Sequence, residues 1–162
     1  MIIRSIETKD HDRVMEIYTY YILNSMAAYL DEIPSIDFLF SGVYEGGFLV
    51  IEIEDKVVGF GKIKKYHTSD VFKDTALVGY FLDPSFSGRG LGKVVLEGLE
   101  KVALKKGVKH LLAHVSSVNE ASQKFHKKNG FIECGHFPQM GVKFGKSFDL
   151  IWYSKNLNTI NF

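Results

Sequence analysis

The sequence predicts a mixed α/β chain, a sheet with helices packed on it, and three observations carry that reading. Segments whose apolar residues alternate are interleaved with segments whose apolar residues recur every three or four positions, the two periods of strand and helix. One stretch, TALVGYFLD (75–83), is apolar on both faces, as a strand in the middle of a sheet must be. No linker rich in Pro, Gly or Ser interrupts the pattern, so residues 1–162 read as a single domain large enough to bury a real core.

MIIRSI alternates and reads as a short strand. Behind it, Val14, Ile17, Tyr18 and Tyr21 fall at i, i+3, i+4 and i+7, one face of a helix that Thr8 or Asp10 would cap. Pro34 breaks the chain, and Ser35 starts a second, weaker helix carrying Phe38, Leu39 and Val43. GFLVIEIEDKVVGFGKIKKY (47–66) reads as a β-hairpin turning at Glu54, Asp55 and Lys56. HTSDVFKD (67–74) is a polar loop, and TALVGYFLD follows as the central strand. From Gly90 to about Lys106, Leu91, Val94, Val95, Leu99 and Val102 make one apolar stripe. Lys105 and Lys106 sit in the last turn of that helix, where cations suit its dipole, and Gly107 ends it. KHLLAHV (109–115) is a buried strand. NEASQKFHKKNG is a short helix capped by Asn119 and stopped by Gly130. The end, FIECGHFPQM and FGKSFDLIWYS, forms two strands with VKFGK between them. The order is β-α-α-β-β-β, and from that last strand onward β-α-β-α-β-β, which is a mixed sheet covered by helices.

Twenty basic residues face nineteen acidic ones, a net charge of +1, which argues against a dedicated nucleic-acid binder. Cys134 is the lone cysteine, so neither an internal disulfide nor a multi-cysteine zinc site can form, and a cytoplasmic location fits. His110, His114 and His136 lack spacing to Cys or carboxylates that would suggest a metal. The N-terminus is charged too early for a secretory segment, and no apolar run approaches the roughly 18–20 residues of a membrane span.

The unusual stretch is GYFLDPSFSGRGLGKVVL (79–96), a strand that feeds a helix through Gly88, Gly90 and Gly92, with Arg89 inside and Lys93 just after. Such a turn presents unpaired backbone N–H groups at the positive end of the helix dipole, a setting that favours a phosphate or pyrophosphate. Glycine matters because a Cβ would hold the anion away. The bland reading is an ordinary turn, but one glycine would suffice for that. A Walker A loop fails here, since Gly92-Lys93 is followed by Val94 and Ser87 stands where the first glycine belongs. A dinucleotide fingerprint fails on spacing and on its position past mid-chain.

DPSFSGRGLGK resembles the acyl-CoA pyrophosphate loop of the GNAT acetyltransferase superfamily, Gln/Arg-x-x-Gly-x-Gly/Ala, with Ser87 in place of the usual Gln or Arg. NEASQKFHKKNGF is similar to the superfamily's second motif through Asn119, Ser122, His126, Gly130 and Phe131. GVKFGKSFDLIWYSK resembles the C-terminal signature of the phosphinothricin and methionine sulfoximine N-acetyltransferase branch, through Gly141, Lys143, Gly145 and Asp149. The opening strand and helix are similar in kind, so the resemblance covers nearly the whole chain. It implies a GNAT-like fold, a central, mostly antiparallel mixed sheet with helices on both faces, and an acetyl-CoA-dependent N-acetyltransferase.

The resemblance also implies roles. Ser87, Gly88, Arg89, Gly90, Leu91, Gly92 and Lys93 would hold the coenzyme A pyrophosphate. Tyr80, Phe81 and Leu82 would offer main-chain groups to the pantetheine from a strand that splays from KHLLAHV, and an N–H there would polarise the thioester carbonyl. Asn119, Ser122 and His126 lie at i, i+3 and i+7, a polar helix side opposite an apolar side of Val118, Ala121 and Phe125. The first two would touch cofactor, and His126 would protonate the leaving thiolate.

A general base is harder to place. The branch usually has glutamate where this chain has Leu77. An α-amine of pKa ~8 is about 10% neutral at pH 7 and tolerates that loss, whereas an alkylamine at ~10.4 does not. Asp74, Asp70 and His67 in the preceding loop are substitutes, although each also reads as a solvated loop residue. That loop lacks the arginine that reads an amino-acid substrate in relatives. Lys64, Lys65, Lys105 and Lys106 read as solvated element ends, Cys134 as a core or sheet-edge residue, and Tyr18, Tyr21 and Tyr29 as core residues of which one or two line the acceptor pocket. The expectation is an N-acetyltransferase for a small amine, an amino acid or analogue, with direct attack in a ternary complex. A non-catalytic acyl-CoA binder and a protein or peptide N-acetylase are the alternatives. Neither nucleic acid nor membrane is an expected partner, and the resemblance implies a homodimer.

Overall fold

A computed structural model describes residues 1–159. Seven strands form one sheet in the order β1-β2-β3-β4-β5-β7-β6, with β1 Ile2–Ser5, β2 Val43–Ile53, β3 Lys56–Lys65, β4 Thr75–Leu82, β5 His110–Ser116, β6 Ile132–Lys143 and β7 Lys146–Asn156. Every neighbouring pair is antiparallel except β4 with β5. TALVGYFLD is thus the middle strand, as its two apolar faces predict. The hairpin between β2 and β3 turns on Glu54 and Asp55 at φ 50° and 61°, the left-handed pair that matches strand twist.

Helices cover both faces. Helix α1 (His11–Asn24) and α2 (Ile36–Phe40) bury Val14, Ile17, Tyr18, Ile22 and Leu39 against Phe48, Val50 and Phe60 on one side. On the other, α3 (Leu91–Lys105) lays Val95, Leu96, Leu99 and Ala103 on Ile51, Ile63, Ala76 and Leu111, and α4 (Glu120–Lys128) follows β5. The buried stripe of α3 is rotated slightly from the expected one: Leu96, Ala103 and Glu100 are buried, while Val94 and Val102 are half-buried. Glu100 is tolerated there because Lys155 of β7 pairs with it.

Three local expectations are corrected. Asp10 does not cap α1 through its side chain. Its carboxylate accepts instead from Arg4 (2.7 and 2.9 Å) and from the Glu7 N–H (2.8 Å), tying β1 to the helix start. Val43 opens β2 rather than closing α2. The apolar side expected for α4 is also displaced. Val118 is 54% exposed and Ala121 is exposed, whereas His126 is 3% exposed and packs edge-on to Phe131 and stacked on Tyr153. A short helix laid on a sheet turns inward the side chains nearest the strands, and here one of them is an imidazole that meets Tyr80 of β4 and Tyr153 of β7.

The C-terminal glycine, lysine and aspartate signature has a mechanical basis. A Cβ on Gly141 would sit 2.2 Å from the Phe148 ring. Asp149 accepts from the Gln139 N–H (2.8 Å) and from His136 (2.7 Å), fixing the irregular stretch of β6 between Phe137 and Gly141. Lys143 reaches across to the carbonyls of Ser25 and Ala28, both at 2.7 Å, and so anchors the segment after α1.

Candidate functional site

The site begins where the sheet comes apart. Strands β4 and β5 pair only at Thr75–Leu77 against His110–Leu112. Beyond that, β4 stays with β3 as far as Leu82 and β5 stays with β7 as far as Ser116, so a gap opens between them. The Asp83 N–H donates to the Val58 carbonyl at 2.8 Å, which fixes the alternation of the β3–β4 ladder. Gly79 and Phe81 therefore spend their main-chain groups on β3, while Val78, Tyr80 and Leu82 turn theirs to the gap. Of the three residues expected to offer backbone here, Phe81 offers its ring instead, packed 5.1 Å from both Tyr18 and Tyr21. The Leu82 carbonyl accepts from the Tyr21 hydroxyl at 2.6 Å.

At the end of β4 a short turn, Pro84–Phe86, is capped by Asp83 and leads into the glycine stretch. Gly88 and Gly90 lie at φ 76° and 77°, with open space where a Cβ would stand. Left-handed backbone at alternate positions curls the chain into a concave turn of N–H groups. Gly90 is also the N-cap of α3, with no side chain to satisfy the N–H groups of Leu91, Gly92 and Lys93. Gly92 is bare for another reason: a Cβ there would come 3.1 Å from the Phe125 ring, so the glycine lets α4 close on α3. The side chain of Leu91 is buried in the core, which leaves it only its N–H to offer. The Arg89 guanidinium lies 4.8 Å over the Phe86 ring, and Lys93 is 3.7 Å from Glu97.

A cleft of about 570 Å³ runs through the gap. Its lining includes Tyr80, Phe81, Leu82, Ser87, Gly88, Gly92, Asn119, Ser122 and His126 from the expected site. Arg89, Gly90, Leu91 and Lys93 are not part of that lining but continue the same turn. The Asn119 side chain is spent as helix cap, accepting from the Ser122 N–H at 3.2 Å.

His126 is tied at both nitrogens. Nδ1 faces the Ser122 carbonyl at 2.7 Å and donates to it, so Nε2 is the acceptor for the Tyr80 hydroxyl at 2.5 Å. Burial lowers the His126 pKa and raises that of Tyr80 well above 10. At neutral pH the pair is a neutral imidazole and a protonated phenol, and the mobile proton is on tyrosine. Tyr80 was not legible as a side-chain participant, because strand alternation alone does not say which face meets α4.

The opposite face of the gap is aromatic and basic. Lys64 lies beside Leu77, and Lys62 beside Gly79, as cross-strand partners whose side chains share the α1–α2 face. Both lysines line the cleft with Tyr18, Tyr21, Tyr29, Phe38 and His114. Lys64 is therefore not a solvated strand end, and the three tyrosines are walls of the cleft. Lys62 donates to the Leu39 carbonyl at 2.7 Å, and burial, then the Lys64 charge, pulls its pKa down to about 8. His114 sits between Tyr29 (5.2 Å) and Trp152 (5.0 Å), with Nδ1 buried and lacking a hydrogen-bond partner. The expected base candidates lie elsewhere. Asp74 pairs with Lys109 at 2.7 Å, His67 accepts from the Ser69 N–H at 3.0 Å, and Asp70 opens a short 3-10 turn; none lines the cleft. Among the described residues no cluster of His, Cys, Asp or Glu could hold a metal, and no helix is long and apolar enough to cross a membrane.

The model of the acetyltransferase (GNAT) family matches residues 10–131. The L-methionine sulfoximine/L-methionine sulfone acetyltransferase of Salmonella typhimurium is 29% identical, over 98% of this chain and 95% of that protein. An L-amino acid N-acyltransferase of Escherichia coli is 28% identical, over 98% and 95%. Among solved structures, yncA of Salmonella typhimurium with its cofactor acetyl-CoA superposes with a TM-score of 0.89 at 28% identity, covering 100% of this chain and 96% of that one. An N-acetyltransferase of Staphylococcus aureus gives 0.89 at 27% identity, covering 96% and 98%.

Proposed function

The chain belongs to the GNAT family of acetyltransferases, and from that premise we propose that it moves an acetyl group from acetyl-CoA to the amine of a small, amino-acid-like acceptor. The observation that carries this reading is one continuous cleft with a bare helix mouth at one end, unpaired strand edge in the middle and an aromatic, basic pocket at the other.

The turn from Ser87 to Lys93 would hold the pyrophosphate through its N–H groups, with Arg89 and Lys93 adding charge. Asn119 and Ser122 would flank the pantetheine arm. The Val78, Tyr80 and Leu82 main chain would align it, one N–H polarising the thioester carbonyl as negative charge builds there. The neutral amine attacks the carbonyl carbon, the C–N bond forms as C–S breaks, the sulfur leaves with the bonding pair, and the amine gives its extra proton to water. His126 would act through Tyr80: the phenol hydroxyl, held by Nε2 until then, swings to protonate the departing thiolate, and the phenolate regains a proton from solvent. Leu77 supplies no base. The positive charge of Lys62 and Lys64 would compensate by favouring the neutral form of the acceptor amine.

The proposal extends to a single domain working in the cytosol as a homodimer. An exposed, unpaired Cys134 suits a reducing compartment, and exposed Phe137, Met140 and Val142 along β6, with Phe144 in the turn after it, offer an apolar face. The test is thiol release from acetyl-CoA over a panel of free amino acids, simple alkylamines and peptides, with products identified by mass. N-acetylated amino acids are the expected products. Modification of peptides alone, or cofactor binding with no acceptor turned over, would overturn the reading.

A further inference from the structure

The acceptor half of the cleft carries an unbalanced charge. Among the described residues its lining includes Lys62, Lys64 and His114 and contains neither Asp nor Glu. The two lysines project two residues apart from the same face of β3, one on each side of the level where β4 and β5 separate. Both are half-buried. One Lys62 N–H is spent on the Leu39 carbonyl, and the charge that acts on that ammonium is the like charge of Lys64. Asp31 lines the adjoining cavity of about 430 Å³ with Lys143 rather than this one. Two ammonium groups held close together, partly out of water and without a carboxylate, are costly unless a ligand brings the missing negative charge. Gly79, the cross-strand neighbour of Lys62, has open space where a Cβ would be, so the floor between Lys62 and the β5 side is clear.

We propose that Lys62 and Lys64 form a carboxylate-binding subsite, which restricts the acceptor to amines that carry an acid group close by and an apolar or aromatic remainder. The remainder would lie among Tyr18, Tyr29, Leu30 and Phe38. The inference rests on reading the cleft as the site of acetyl transfer, and it specifies the acceptor: free amino acids with apolar side chains, not polyamines or amino-acid amides.

The test reads binding, so it stands apart from turnover. The full chain, saturated with coenzyme A, is titrated calorimetrically with N-acetyl-leucine, N-acetyl-methionine and N-acetyl-phenylalanine and with the matching C-terminal amides. The parent should bind at least one acid about 10- to 100-fold more tightly than its amide, the worth of a charge-assisted contact. Lys62→Met with Lys64→Met should erase that preference, Lys64→Gln alone should reduce it, and Lys62→Arg with Lys64→Arg should restore it. Equal affinity for every acid and amide pair, or a preference untouched in the methionine variant, overturns the subsite. Thiol release with free leucine, run in parallel, reports on acetyl transfer by itself: transfer to uncharged amines as readily as to leucine sinks the subsite and leaves the transferase standing.

Discussion

In the proposed mechanism Tyr80 and His126 divide a single task, and the division follows from burial. An imidazole pinned by the Ser122 carbonyl and pushed down by desolvation holds no spare proton at neutral pH, whereas the phenol beside it keeps its own. Tyr80→Phe should lower kcat on the order of 100-fold, the range of a lost proton donor, and leave coenzyme A affinity nearly unchanged. Steady-state kinetics beside calorimetry checks it, and an equal loss in both would point to packing. Lys62 gives a pH signature. Its ammonium, beside Lys64 on the same strand and bonded to the Leu39 carbonyl of α2, has a pKa of about 8, and His114 of β5 lines the same cleft. Raising the pH from 7 to 9 removes that charge, so affinity for an N-acetyl amino acid should fall through this window. An affinity that stays flat would place the carboxylate elsewhere. Neither lysine stood out in the sequence, because a charged residue at alternate strand positions is what any solvent-facing strand shows. Only the parting of β4 from β5 turns that face into a pocket.

Elements place these residues, and two of the placements are testable. Lys143, far along the chain in β6, anchors the Ser25 and Ala28 carbonyls that carry the cleft-lining segment after α1. Lys143→Met should raise the acceptor KM several-fold with little change in the KM for acetyl-CoA, since the cofactor end rests on α3 and α4. Gly141→Ala should destabilise by about 1–3 kcal/mol, because its methyl would meet the Phe148 ring at 2.2 Å. For a chain of this size that is a fall in Tm of roughly 2–4 °C per kcal/mol, read by thermal melt. Most elements were legible: Val14, Ile17 and Tyr18 mark α1, and Leu91, Val95 and Leu99 mark α3. The face of α4 was not. Its period is clear, but a histidine pointing inward looks the same in one dimension as a histidine pointing out, and tertiary packing decides between them.

At the scale of the whole molecule, the proposed function rests on the parting of β4 from β5. The parallel pair stops after Leu77, and the helix entered from β4 starts on bare glycine at the same end. Chain order made the helix mouth readable, since Gly88, Gly90 and Gly92 stand at alternate positions of one short stretch. The acceptor pocket gathers Tyr18, Lys62 and His114 from three distant segments, which no local pattern announces. The central claim is that the N–H groups of this mouth grip the diphosphate of coenzyme A. Calorimetric titration of the parent and of Gly88→Ala with Gly90→Ala, using coenzyme A and using pantetheine, tests it most directly. Methyl groups at φ 76° and 77° strain the turn and re-aim its donors. Coenzyme A should bind the double variant at least about 10-fold more weakly, with pantetheine affinity unchanged. Undiminished coenzyme A binding in the variant, or none in the parent, would contradict the account.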